Sequence, residues 1–246
     1  MKILLLGGAG DAPKLAQALM DDGWPVVASL AGTTKRPRPY PCETRIGGFG
    51  GAAQLAAWVV NNQVGAIIDA THPFAVRISA HAVWASRECD IPIMAVERPP
   101  WTPEPGDDWH SYSNIQNAIL ALPPAARAFM TIGRGGLEAA TIRDDVWTAL
   151  RVVDEPDTAY PGNGKFVAAR PPFDAEAEKN WLSENNITHL VAKNSGGEAG
   201  RAKLDAARAL GIPVFMIERK IQPDVAPSMP ANLIPNWLDA TIRKPV

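Results

Sequence analysis

Short apolar runs alternate along this chain with longer stretches whose apolar positions recur every three to four residues, the pattern of a parallel sheet covered by crossover helices. In the first half, residues 3–6, 26–30, 66–69 and 91–96 read as strands, and residues 11–21, 51–61 and 74–88 as helices. Residues 97–106 contain Pro99, Pro100, Pro103 and Pro105, which forbid continuous helix and favour an extended connector. The alternation then resumes. Strands are expected at 128–132, 149–153, 167–169, 188–192 and 213–218, and helices at 175–184, 198–210 and 231–243, the last beginning near Pro230 as a first-turn proline permits. The expected fold is α/β, with two Rossmann-like domains built on mainly parallel sheets, residues 1–105 and 106–246. Ligands of such proteins sit in the cleft between domains or at the carboxyl ends of strands, so the loops after the strands are where chemistry is sought.

Composition narrows the class. A chain of 246 residues with 46% hydrophobic and 20% charged positions buries a sizeable core, as one large domain or two small ones, which excludes disordered and fibrous classes. The 24 Lys+Arg against 26 Asp+Glu give a net charge of −2. That supplies no global cationic field for nucleic acid or an anionic membrane, so anion binding has to be local. Cys42 and Cys89 form neither a disulfide framework nor a CxxC pair, which fits a reducing cytosol. The histidines lack metal-ligand spacing, and no metal is expected. The apolar run 3–6 is too short for a secretory segment, and the uncharged window 46–68 is broken by Gln54, Asn61, Asn62 and Gln63, a poor membrane helix. The reading is a soluble, cytoplasmic protein with no nucleic-acid or membrane partner.

Directly after the first strand comes Gly7-Gly8-Ala9-Gly10-Asp11-Ala12, a turn whose small residues let a phosphate approach backbone N–H groups at a helix N-terminus. The match to G-x-G-x-x-G is incomplete because Pro13 follows; a tight turn without function reads equally well. No acid stands at the end of the second strand, where NAD-binding proteins hold the ribose hydroxyl. The chain reads Ala31-Gly32-Thr33-Thr34-Lys35-Arg36 there, hydroxyls and cations that favour the 2′-phosphate of NADPH, or a plain solvated basic loop. A second glycine cluster, residues 47–51, suits close ligand approach, a hinge or a bend. The segment Asp69-Ala70-Thr71-His72-Pro73-Phe74 ends a buried strand, with His72 a proton donor, a carboxylate binder or a residue that merely shapes the turn. In the second half Gly133-Arg134-Gly135-Gly136 and Lys193-Asn194-Ser195-Gly196-Gly197 each pair a cation with bare backbone after a strand, which suits an anionic ligand.

Together these segments, with Ser29-Leu30-Ala31-Gly32, Glu97-Arg98-Pro99-Pro100-Trp101 and the run 211–219, resemble the precorrin-6A reductase family of cobalamin biosynthesis over most of the chain. The resemblance implies an NADPH-dependent reductase that delivers hydride to the precorrin-6A macrocycle, giving precorrin-6B, in two Rossmann-like domains. It places the cofactor on Gly7, Gly8, Ala9, Gly10, Asp11, Ala12, Thr33, Lys35, Arg36 and Thr71. A ring carrying many carboxylates needs scattered cations and an apolar floor, for which His72, Arg98, Trp101, Arg134, Lys193, Ser195, Gly196, Lys203 and Arg219 are the candidates. The macrocycle is itself an electron sink, so aligning it with the nicotinamide is the protein's main task. Two departures stand out: Thr33 where the family often has arginine, and Asp11 where glutamate is common.

Two other readings compete. A short-chain dehydrogenase needs Tyr-x-x-x-Lys, but Tyr40, Tyr112 and Tyr160 are followed four residues on by Thr44, Gln116 and Gly164. An NADP-binding sensor, or a reductase of another anionic substrate, would keep the first glycine turn. A sensor, however, gives no reason for the loops of Arg134 and Lys193.

Overall fold

The computed structural model describes residues 1–8, 10–220 and 225–244. The chain forms two compact units, Met1–Arg98 with Ile221–Val246, and Pro99–Lys220. Each holds one six-stranded sheet in which every pairing is parallel.

In unit 1 the strands are β1 (Lys2–Leu6), β2 (Val26–Leu30), β3 (Glu43–Ile46), β4 (Val64–Asp69), β5 (Ile93–Val96) and β12 (Ser228–Met229), in the order β12-β5-β4-β1-β2-β3. This is the 3-2-1-4-5-6 order of dinucleotide-binding sheets. β2 and β4 are buried along their whole length, as strands covered by helices on both faces must be. The helices are α1 (Ala12–Asp21), α2 (Ala52–Asn61), α3 (Val76–Glu88) and α8 (Ile234–Thr241). On one face Ile3, Leu5, Leu15, Leu19 and Trp24 pack with Ile234 and Leu238 of α8; on the other, Leu4, Leu6 and Ile67 pack with Leu55, Val59 and Ala82. The order reverses at β1, between β2 and β4, and crossovers leaving to opposite faces open a crevice there.

In unit 2 the strands are β6 (Trp109–Tyr112), β7 (Arg127–Thr131), β8 (Trp147–Val152), β9 (Gly164–Ala168), β10 (His189–Lys193) and β11 (Val214–Ile217), in the order β6-β11-β10-β7-β8-β9. Strands β7 to β11 repeat the arrangement of β1 to β5. The sixth position is taken by β6, which comes first in the unit, whereas in unit 1 it is taken by β12, which comes last. Helices α4 (Ile115–Leu120), α5 (Leu137–Ala140), α6 (Ala175–Glu184) and α7 (Ala202–Leu210) complete the unit.

The strands expected from the apolar runs are all present, β2 with the expected ends and the others with shifted ends. The domain boundary differs: residues 225–244 do not belong with the second half. Ile234 and Leu238 are fully buried in the core of unit 1, each worth about 1.5–3 kcal/mol of apolar burial, and β12 pairs with β5. The last helix is also shorter than expected. A 3-10 turn, Ala231–Leu233, precedes α8, and the first-turn proline is Pro235 rather than Pro230. β3, β6, β12, α4 and α5 carry no expectation from the sequence. β3 is a four-residue, mostly exposed edge strand, and α4 is six residues held by Asn114, whose side chain accepts from the Asn117 N–H at 2.8 Å.

Candidate functional site

At the carboxyl ends of β1 to β4 lies a cavity of about 860 Å³, lined by Leu6, Gly7, Gly8, Ser29, Thr33, the glycines 47, 48, 50 and 51, Thr71, His72, Phe74 and, from α3, Arg77 and His81 among others. Gly8 has φ +124, and a Cβ there would meet nothing within 4 Å. Its backbone is thus open to the cavity in a conformation that only glycine adopts freely, a cradle a side chain would fill. Asp11 occupies the N-cap of α1 without making a cap hydrogen bond, so the helix terminus is not closed by its own side chain.

The glycine loop 47–51 is held from beneath. Arg45 donates through Nη1 to Ser29 Oγ (2.8 Å) and Gly47 O (2.9 Å) and through Nη2 to Gly48 O (3.1 Å). Its guanidinium lies 3.8 Å from the centre of the Phe49 ring. Burial pushes its pKa down from the ordinary arginine value. The sequence reading missed Arg45; its signal was a cation just before a glycine cluster.

The β4 turn is built by Asp69, which is buried and accepts from Thr71 N (3.0 Å) and Thr71 Oγ1 (2.7 Å). His72 Nδ1 accepts from Phe74 N at 3.2 Å, which fixes the proton of the neutral ring on Nε2. Arg98 donates to Thr71 O at 3.1 Å and stands 3.7 Å from Asp11 Oδ2. Burial lowers the Arg98 pKa, opposed by the charges of Asp11 and Asp69. Arg98 therefore ties the β4 turn to the start of α1, a positioning role that its reading as a substrate ligand did not include.

Of the expected cofactor residues, Gly7, Gly8, Thr33 and Thr71 line the cavity, whereas Gly10, Asp11, Lys35 and Arg36 do not. Ala12 is 1% exposed and belongs to the core. Ala9 lies outside the described residues.

In unit 2 six of the expected substrate residues converge on the loop after β10. Trp101, 7% exposed, donates from Nε1 to Gly197 O at 3.0 Å. Lys203 Nζ lies 4.9 Å from the Trp101 ring centre and donates to Gly200 O at 2.7 Å. Burial pushes the Lys203 ammonium down to about 8, helped by the charge of Arg151 and opposed by Glu178. Arg219 donates to Asn194 O and Ser195 O, both at 2.8 Å. Lys193 donates to Ile132 O at 2.9 Å, and burial lowers its pKa. Gly196 has φ +67 and a Cβ there would run into Pro99 O, so its glycine is required by the fold of the loop itself. Arg134, on the 3-10 turn Arg134–Gly136, is exposed and donates to Asp154 O at 2.9 Å. Asn194, absent from the sequence candidates, is 4% exposed and is the loop's central hydrogen-bonding residue. Among the described residues no group of three or more His, Cys, Asp or Glu stands together to hold a metal, and no helix is long and apolar enough to cross a membrane.

Two parallel sheets of this order, one with a glycine turn opening on a large cavity at its strand ends, define a Rossmann-like α/β protein. The model of the family described as Precorrin-6x reductase CbiJ/CobK matches residues 2–237, and the chain belongs to this family of oxidoreductases of cobalamin biosynthesis. It is 46% identical over 220 residues to the precorrin-6A reductase of Rhodococcus erythropolis, covering 89% of each chain. With the precorrin-6A reductase of Rhodobacter capsulatus it shares 42% identity over 224 residues, covering 90% of this chain and 89% of the relative. The solved structure of CobK precorrin-6A reductase is similar with a TM-score of 0.93 at 39% identity, over 100% of this chain and 99% of that one.

Proposed function

We propose that this chain reduces precorrin-6A to precorrin-6B, with NADPH held in the cavity of unit 1 and macrocycle carboxylates met by the cations of unit 2. The observation that carries the cofactor half is the cavity itself. It joins the Gly8 cradle, the Arg45-supported glycine loop and a β2 end without a carboxylate, a donor set that suits a phosphorylated dinucleotide. The relatives' names support the substrate half and favour the metal-free macrocycle.

NADPH, when bound, supplies the hydride. The chain's own residues bind and orient. The open space beside Gly8 receives phosphate, Thr33 and Thr71 offer hydroxyls, and His72 presents Nε2–H as a hydrogen-bond donor, while solvent supplies the proton that completes the two-electron reduction. In unit 2, Arg134, Lys193 and Lys203 meet carboxylates, Trp101, buried in the core rather than facing a ligand, supports the loop after β10, and Arg219 keeps Ser195 and Asn194 in place. Excluding water and aligning the reactants account for the rate.

The test is oxidation of NADPH by the purified protein with and without added precorrin-6A, beside its cobalt-containing counterpart. Turnover that requires the metal-free tetrapyrrole supports the reading. Tight NADPH binding with no tetrapyrrole-dependent oxidation overturns it in favour of a sensor, and turnover only with the cobalt form overturns the choice of substrate.

A further inference from the structure

We infer that Arg77 of α3, with His81 one turn behind it, binds the phosphate that distinguishes NADPH from NADH, in place of the basic loop after β2. This rests on the reading of the unit 1 cavity as an NADPH site.

Arg77 and His81 both line that cavity, and their i, i+4 spacing puts them on one face of α3 (Val76–Glu88). Among the described residues the lining includes no aspartate or glutamate, and Arg77 is its one residue of fixed charge. Among the described residues neither Arg77 nor His81 has a hydrogen-bond or ion-pair partner. An arginine in a cavity without a counter-ion presents its planar fork of donors to an incoming anion, and phosphate is the anion that fork matches in two contacts at once.

Placement separates this phosphate from the pyrophosphate. The pyrophosphate is assigned to the open space beside Gly8 at the end of β1, whereas Arg77 lines the same cavity from a different helix. Thr33 lines the cavity and brings a hydroxyl from the end of β2, but Lys35 and Arg36 do not line it.

The experiment is calorimetric titration of NADPH, NADH, 2′,5′-ADP and 5′-ADP into the native protein, Arg77→Ala, His81→Ala and the double variant Lys35→Ala/Arg36→Ala. Circular dichroism checks folding, which substitution at the exposed Arg77 leaves intact. Arg77→Ala should weaken NADPH and 2′,5′-ADP by roughly ten- to a hundredfold, the range of a charge-assisted hydrogen bond, and leave NADH and 5′-ADP unchanged. His81→Ala should lose a smaller part of the same preference, and the double variant should keep it. Preference retained in Arg77→Ala but erased in the double variant overturns the inference. Equal weakening of NADPH and NADH by Arg77→Ala also overturns it, since Arg77 would then serve the shared pyrophosphate. A native protein that binds NADPH and NADH equally overturns the NADPH reading itself, a result distinguishable because no variant is needed to see it.

Discussion

The side-chain amide of Asn194 closes a ring of two hydrogen bonds on the backbone of Trp101: Trp101 N donates to Asn194 Oδ1 at 2.8 Å, and Asn194 Nδ2 donates to Trp101 O at 3.1 Å. Nδ2 also reaches Glu218 Oε2 at 3.2 Å, so one buried amide joins the β10 loop, the start of unit 2 and the end of β11. Replacing it leaves a buried N–H and C=O of Trp101 without partners, at about 1–3 kcal/mol each. Asn194→Ala should therefore lower the unfolding free energy by about 2 kcal/mol or more, measured by urea denaturation, and raise the tetrapyrrole KM through the displaced Trp101. Asn194→Asp keeps the acceptor but loses the donor and faces Glu218, so it should destabilise as well. A native-like midpoint for both variants would mean that water replaces the amide.

Gly8 tests the cofactor cradle. At φ +124 with open space beside it, a valine both strains the backbone by about 1–3 kcal/mol and fills the space where phosphate lies. Gly8→Val should abolish NADPH binding while circular dichroism shows the protein folded. Unchanged affinity in a folded variant would make Gly8 a turn residue and move the site elsewhere.

Of the three unit 2 cations proposed to meet carboxylates, Lys193 and Arg134 differ in how cleanly they can be tested. Lys193 is tied to Ile132 O, so Lys193→Ala also removes an internal bond and should lower stability as well as affinity. Arg134 is exposed, and the contact described for it is to Asp154 O. Arg134→Ala should raise the tetrapyrrole KM by roughly ten- to a hundredfold, as loss of a charge-assisted contact does, with NADPH affinity preserved. Weakened NADPH with unchanged tetrapyrrole affinity would assign these loops to the cofactor.

Lys203 makes stability depend on pH in a defined direction. Its ammonium falls from the ordinary 10.5 to about 8 in the fold, so between these values the unfolded chain holds the proton that the folded chain has released. Unfolding free energy should therefore rise with pH across that window, and the fold should bear the cost of the buried charge below pH 8. Lys203→Met should be more stable than the native protein below pH 8 and lose the difference above it, read from denaturant melts of the two side by side. A bound carboxylate favours the charged form, so substrate binding above pH 8 should take up a proton, seen as a dependence of calorimetric heat on buffer ionisation. Parallel pH profiles for the two proteins would remove Lys203 as the cause.

The α/β class, the long buried strands and the glycine turns were legible in the sequence because each is a local signal. Runs such as 3–6, 26–30 and 66–69 are apolar but for Ser29 and Asp69 near their ends, as strands covered on both faces are, and Gly7, Gly8 and Thr71 stand beside strand ends whatever the rest of the chain does. Cations showed as cations, but their partners did not. Arg98 holds Thr71 O, Arg219 holds the β10 loop, and Arg45 braces glycines two and three residues on, because burial makes each guanidinium satisfy nearby carbonyls. The edge strands β3, β6 and β12 left little trace, since a strand exposed on one side and two to four residues long has no period to read. The return of residues 225–244 to unit 1 was equally hidden. Ile234 and Leu238 make an ordinary amphipathic stripe that fits any apolar face, and only packing against Ile3, Leu15 and Trp24 decides which. Arg77 and His81 carried no expectation from the sequence, because only the crossover from β4 lays their side of α3 along the cavity. Sequence spacing determined which residues share a helix face or a turn, and the tertiary structure decided what that face meets, because contacts between distant segments depend on how the sheet orders its strands.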